Sequence, residues 1–176
     1  MFFTMLTFSE TQQNPYRWYV VLAVIGFSLS LVSWFYWGAT VNLLAEGESL
    51  VSWKLAGAFI LVSVFFCAIP FRKIETHIDQ SSVQFKISLF GSKREVIKWE
   101  DIDHAYVREF VLYGEYPKGM GGTRQGPNGW AYVMNGDYGL QINKKSGGKI
   151  LLGTQRPDEL LAFLTTLPIQ QKTKVL

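Results

Sequence analysis

The hydrophobic pattern divides the chain into two regimes. Residues 18–45 contain no Asp, Glu, Lys or Arg over 28 positions, and residues 55–71 contain none over 17. Beyond Phe71 apolar residues alternate with polar ones instead of running on. The segment 18–37 reads WYVVLAVIGFSLSLVSWFYW. At about 1.5 Å rise per residue, a helix of that length spans roughly 30 Å, the hydrocarbon thickness of a bilayer. Trp18 and Tyr19 close one end and Trp34 to Trp37 the other, where amphipathic rings favour the headgroup level. Ser28, Ser30 and Ser33 can bond back to helix carbonyls or reach a neighbouring helix.

The second run, 50–71, reads LVSWKLAGAFILVSVFFCAIPF. Lys54 can snorkel to the interface beside Trp53, which leaves the apolar stretch at the short edge of a span. The expectation is a two-helix transmembrane hairpin: an N-terminal tail at 1–17, helices at 18–37 and 54–71, and an extracytoplasmic loop at 38–53. The opening MFFTMLTF is too short to span and reads as a loose terminus or an interfacial segment. A cleaved signal peptide carries a positive n-region and a small-residue cleavage site. Here Glu10 precedes the run, Arg17 is its one flanking cation and WFYW closes it. Arg17, Arg72 and Lys73 outnumber Lys54 in the flanks, which orients both termini to the cytoplasm of a multi-pass protein of the plasma (inner) membrane.

From Lys73 the period becomes that of strands. Val83, Phe85, Ile87 and Leu89 alternate with Gln84, Lys86 and Ser88, and the turn cluster Asp79–Gln80–Ser81–Ser82 makes 73–78 the other arm of a hairpin. Further strands are expected at 94–99, 102–112, 130–134, 138–143 and 149–152, with turns at 90–92, 135–137 and 144–148. Between Tyr113 and Trp130 the chain reads as irregular. Pro157, Asp158 and Glu159 then open a helix whose Leu160, Leu161, Leu164 and Leu167 share one face. The expected domain at 72–168 is therefore a mostly-β (α+β), seven-stranded antiparallel barrel or sandwich capped by a C-terminal helix, before a tail at 169–176.

Composition narrows the function classes. Hydrophobic residues make up 48% and charged residues 18%, which excludes a disordered chain. The formal charge of +3 is too small for a nucleic-acid binder. From Arg72 onward 15 Lys and Arg face 11 Asp and Glu, a mild excess suited to an anionic leaflet. The single Cys67 forbids an intrachain disulfide. Two isolated histidines, His77 and His104, do not supply the ligand set of a structural metal site, so no metal or other cofactor is expected.

Seven antiparallel strands followed by one helix is the element order of a pleckstrin-homology (PH) fold. WEDI at 99–102, VR at 107–108, the glycine-rich stretch with Arg124, GWAYVMNG at 129–136 and LLGTQRPDELLAFL at 151–164 resemble a family of bacterial membrane proteins with one or two helices before a PH-like domain. The resemblance covers about residues 73–167, and LGTQRP is its most specific piece. Where such proteins often read GGWGIR, residues 119–124 read GMGGTR, without the Trp. The family implies a fold and a membrane location but no established activity.

Candidate chemistry is sparse. An Asp–His reading of His104 with Asp101 or Asp103 lacks a Ser or Cys nucleophile motif, and a strand histidine is the simpler account. Ser146–Gly147–Gly148–Lys149 and Gly91–Ser92–Lys93 lack Walker spacing and open no helix, so they read as hairpin turns. Residues 114–129 hold six glycines in sixteen positions, together with Lys118 and Arg124. With Tyr113, Tyr116 and Trp130 as neighbouring rings, this stretch is the candidate ligand-binding loop, set against a plain hairpin tip. The turn 79–82 carries no cation, which argues against inositide recognition of the eukaryotic kind. The expected function is a non-enzymatic integral membrane protein whose cytoplasmic domain binds a membrane or cytoplasmic protein partner or supports a membrane assembly. Recognition of an anionic lipid headgroup or small ligand by the 114–129 loop is the alternative. A homo-oligomer is compatible with either.

Overall fold

The structure, a computed structural model, describes residues 7–40, 49–88 and 94–167. The expectations for the opening hexapeptide, for 41–48 of the connecting loop, for the turn at 90–92 and for the C-terminal tail lie outside these residues. The chain forms two compact units, one of Met1–Asn14 with Arg72–Leu176 and one of Pro15–Phe71.

The first element is a strand, β1 (Phe8–Gln13), which precedes both helices α1 (Arg17–Thr40) and α2 (Ser49–Ala68). A short 3-10 turn, Ile69–Phe71, leads into β2 (Lys73–Ile78), β3 (Ser82–Ser88) and β4 (Glu95–Lys98). A second 3-10 turn, Trp99–Asp101, opens β5 (Ile102–Glu109), and the short helix α3 (Leu112–Glu115) follows. Then come β6 (Lys118–Met120), β7 (Thr123–Gly126), β8 (Gly129–Tyr132), β9 (Tyr138–Lys144), β10 (Lys149–Thr154) and α4 (Pro157–Thr166).

The helical unit follows from its composition. In α1 no charged residue follows Arg17, and none of its most apolar stretch, Arg17–Trp34, is buried. That helix is long and apolar enough to cross a membrane, a test that a signal sequence near an N-terminus also passes. Within the unit the Ser28 and Ser63 hydroxyls lie 2.8 Å apart, and the Trp18 and Phe71 rings meet edge-on at 5.3 Å.

The β-unit holds two sheets, in the orders β1-β2-β3-β4 and β5-β9-β10-β8-β7-β6. Neighbours are antiparallel except β8 and β10, which run parallel with Leu151 opposite Ala131. The β2–β3 turn is an Asx turn: Asp79 Oδ1 accepts from the backbone N–H of Ser81 and of Ser82, both at 2.7 Å. Trp99 locks it by donating Nε1–H to the Asp79 carbonyl at 2.9 Å. Val83, Phe85 and Ile97 from the first sheet and Trp99 from the second 3-10 turn pack with Ile102, Leu140, Ile142 and Leu152 from the second sheet, and α4 with its C-cap adds Leu160, Phe163, Leu164 and Leu167.

These findings overturn the expected architecture. The chain is not a two-helix hairpin followed by a single seven-stranded barrel. It has four helices and two sheets, of four and six strands, among the described residues. One helix, near the N-terminus, meets the span criteria; the second apolar stretch there, Gly57–Phe71, is shorter, so a multi-pass arrangement is not supported. The supposed N-terminal tail contains β1, and the stretch read as irregular contains α3, β6 and β7.

The reason β1 escapes a pattern reading is that two of its three inward residues are polar. Phe8, Glu10 and Gln12 face in, while Ser9 and Thr11 face out. Glu10 accepts from the Thr154 hydroxyl at 2.6 Å and from the Gln155 backbone N–H at 2.7 Å. The Gln12 side-chain amide donates to the Gly153 carbonyl and accepts from the Met134 N–H at 3.3 Å. Arg156 donates to the Ser9 carbonyl and lies over the Phe8 ring, 5.1 Å from its centroid. The LGTQRP segment is thus the docking place of the N-terminal strand.

Candidate functional site

The stretch 114–129 is built rather than loose. Met120 pairs with Thr123, so Gly121 and Gly122 form a two-residue turn, both at positive φ (64° and 89°) as hairpins of the primed type require. At its base, Arg108 on β5 meets Glu115 in a two-pronged pair, Nη1 to Oε1 at 3.0 Å and Nη2 to Oε2 at 2.6 Å. Glu115 also accepts from the Val111 N–H at 3.1 Å and from Asn128 Nδ2 at 3.0 Å. Arg108 reaches Gln141 Oε1 through Nε at 3.2 Å and Nη2 at 3.1 Å, and Gln141 donates to the Ile150 carbonyl. The Arg108 hydrogen bonds hold the Glu115 carboxyl below the usual glutamate range, against partial burial and with help from Val111 and Asn128. Burial pushes the Tyr116 phenol up. Gly126 closes the clamp, because a β-carbon there would lie 1.9 Å from the Glu115 carbonyl oxygen.

The candidate residues are not gathered into one site. Tyr116 is fully buried, in a cluster with Ala131, Val133 and Leu151. Arg124 turns inward: Nη1 donates to the Tyr116 carbonyl at 3.2 Å, and the guanidinium lies 4.3 Å above the Tyr113 ring. Lys118 is exposed on β6 and Trp130 is 45% exposed on β8. Lys118, Gln125 and Trp130 form one cross-strand row, whereas Arg124 sits in the next row opposite Ala131 and so faces the other side of the sheet.

Trp130 instead lines an open cleft of about 510 Å³ with Tyr132, Glu95, Lys144, Lys149 and Pro127. Lys144 Nζ lies 3.3 Å from Glu95 Oε1, tying β9 to β4 across the opening. Burial, then the nearby Glu95 charge, raises the Tyr132 phenol. Beyond β4 a second hollow of about 240 Å³ runs along Val96, Asp101, Lys145 and Ser146. The sequence signal for this region was the lysine-rich turn KKSGGK at 144–149, which reads only as a hairpin until β4 and β8 are placed around it. The cleft offers a ring platform and two ammonium groups, an arrangement suited to binding.

His104 Nδ1 lies 2.8 Å from Asp103 Oδ2, but the two are chain neighbours with side chains 41% and 57% exposed. Among the described residues no group of three or more His, Cys, Asp or Glu is placed to hold a metal ion. No family model, no curated protein and no solved structure matches this chain, so nothing among these comparisons identifies a PH-like domain.

Proposed function

We propose that the chain is a membrane-anchored, non-enzymatic interaction module, held at the cytoplasmic face of the plasma membrane through α1. The observation that carries this reading is the place of β1. A signal sequence is removed after translocation. Removal at the end of α1 would here also remove Phe8, Glu10 and Gln12, which are buried in the β-unit. Retention of α1 keeps the domain whole. β1 and β2 are antiparallel neighbours in one sheet, so the segments before and after the helical unit belong to the same fold. Arg17, Arg72 and Lys73 flank the helical unit in the chain, and cationic flanks favour the cytoplasm.

A binding role is supported by the Trp130 cleft, since exposed Trp beside a polar rim is typical of interface anchors. The non-enzymatic reading is supported by the use of Arg108, Glu115 and Gln141, which satisfy one another and the backbone. The test is fractionation of the full chain through high-salt and alkaline-carbonate washes, with the intact mass of the product. The expected result is a membrane pellet containing protein that retains residues 1–16. Recovery in the wash, or an N-terminus beyond α1, would falsify the reading.

A further inference from the structure

The Trp130 cleft is where the interior of the β-unit opens to the surface. Trp130 lies opposite Ile150 and Tyr132 opposite Leu152 across β8 and β10, so both rings stand on the core side of their sheet. Glu95 shares a face of β4 with the buried Ile97, two positions on. The Tyr132 ring meets Phe85 of the first sheet at 4.6 Å between centroids and closes the floor, while Trp130 stays exposed. The smaller hollow adjoins the cleft at Lys144, which lines both, and it adds the exposed Val96. Each holds two lysines against one carboxylate: Lys144 and Lys149 with Glu95, and Lys144 and Lys145 with Asp101. Lys144 and Glu95 meet through one contact of 3.3 Å, with side chains 26% and 45% exposed. A single-pronged pair open to solvent contributes little to folding, so another carboxylate can take the place of Glu95 at small cost.

We infer that these adjoining hollows receive an extended acidic segment of a partner protein. A carboxylate of the segment displaces Glu95 from Lys144, an apolar side chain beside it lies on Trp130, and further acids meet Lys149 and Lys145. This deepens the binding role of the cleft proposed above and rests on it. The occupant is acidic because lysines outnumber carboxylates in both hollows, and complementary charge selects partners. It is a length of chain because the lysines are spread over two hollows, each with an exposed apolar residue, Trp130 in one and Val96 in the other. In the free protein Glu95 stands in for the partner's carboxylate and holds the Lys144 ammonium group in position.

The test presents the full chain, purified in detergent, to a library of random linear peptides displayed on phage. Recovered sequences are synthesised with blocked termini, and their binding is read by fluorescence anisotropy. The expected result is enrichment of Asp and Glu beside an apolar residue. Trp130→Ala and Lys144→Gln should each weaken binding roughly tenfold, as loss of an anchor does. Added salt should weaken binding to the unaltered chain. Glu95→Gln should strengthen it several-fold, because it releases Lys144 and removes a like charge, whereas a purely structural bridge would give no gain. Lys149→Glu, which leaves the Lys144–Glu95 pair intact, is the second charge variant and should also weaken binding. Peptides that depend on Trp130 but carry no acidic excess, or that bind Glu95→Gln no more tightly, overturn the acidic partner and leave the binding role of the cleft standing. Recovery of no peptide whose binding depends on Trp130 overturns both.

Discussion

The Gln12 side chain donates to the carbonyl of Gly153, joining strands 141 positions apart in the chain. Its oxygen accepts from the Met134 N–H, so one buried amide satisfies backbone groups from two other segments. Gly153 makes room for it: a β-carbon there would lie 2.9 Å from Val133 Cγ1 and 3.2 Å from Gln12 Oε1. Gln12→Ala strands those backbone groups, so it should destabilise the β-unit by about 1–3 kcal/mol. A thermal melt of the purified full chain, followed by near-UV circular dichroism, measures this. An unchanged melt would mean that β1 is not docked in solution.

The Arg108–Glu115 pair links the stability of the fold to pH on the acid side. Glu115 titrates below its ordinary value in the folded chain because Arg108 holds it ionised. A carboxylate shifted this way contributes stability that is fully present above the unfolded value and is lost as pH falls through the folded one. Asp79 adds in the same direction: burial opposes, but the hydrogen bonds from Ser81 and Ser82 prevail. The melting temperature should therefore drop as pH falls below the ordinary carboxylate range, and Glu115→Gln should flatten that slope. Breaking a largely buried pair from one side should cost about 1–3 kcal/mol at neutral pH. A double-mutant cycle with Arg108→Ala should show strong coupling, and purely additive losses would contradict the clamp.

Arg124 is a structural residue. Its pairing is with the Tyr116 carbonyl and the Tyr113 ring rather than with a carboxylate such as Glu109. Arg124→Ala should lower stability by about 1–2 kcal/mol, one hydrogen bond plus one cation–π contact. Lys118→Ala should change it little. Equal melts for the two variants would place Arg124 in solvent.

Trp130 should behave in the opposite way. At 45% exposure over an open cleft, its truncation to Ala should leave the melt nearly unchanged. A photo-crosslinking residue at 130, in the full chain within native membranes, should give discrete protein adducts. The same residue at Tyr138, exposed at the other end of β9, should give none. Matching adduct patterns at the two positions would remove the cleft from consideration.

Parts of this architecture were legible from local signals. The β2–β3 hairpin falls at 73–78 and 82–88, where alternation meets an Asp-Ser turn, and α4 begins at Pro157 ahead of Asp158 and Glu159. What stayed hidden has physical causes. β1 buries Glu10 and Gln12, so its pattern is inverted, and only partners near residue 154 make that burial favourable. β6 and β7 are too short and too rich in glycine to show a period. The parallel pairing of β8 with β10 involves strands joined through β9, so no turn encodes it. For the candidate loop, the sequence shows that Arg124 and Tyr116 are present but not that they face away from Lys118. Facing is decided by a register set by Gly121 and Gly122.

The docking of β1 also fixes an order of folding. This strand leaves the ribosome before both of its partners, β2 and the segment 153–156, the latter more than 140 positions later. During synthesis β1 waits for β2 until the helical unit is made, and its inward side chains Phe8, Glu10 and Gln12 wait for residues 153–163 until most of the β-unit is made. Contacts so distant in sequence form late and slowly, because a long loop must close before they give any return. A ribosome stalled before residue 153 would hold a nascent chain with every helix of the helical unit complete and an open sheet edge. Nascent chains of increasing length should therefore show protease resistance at β1 only once LGTQRP has cleared the exit tunnel.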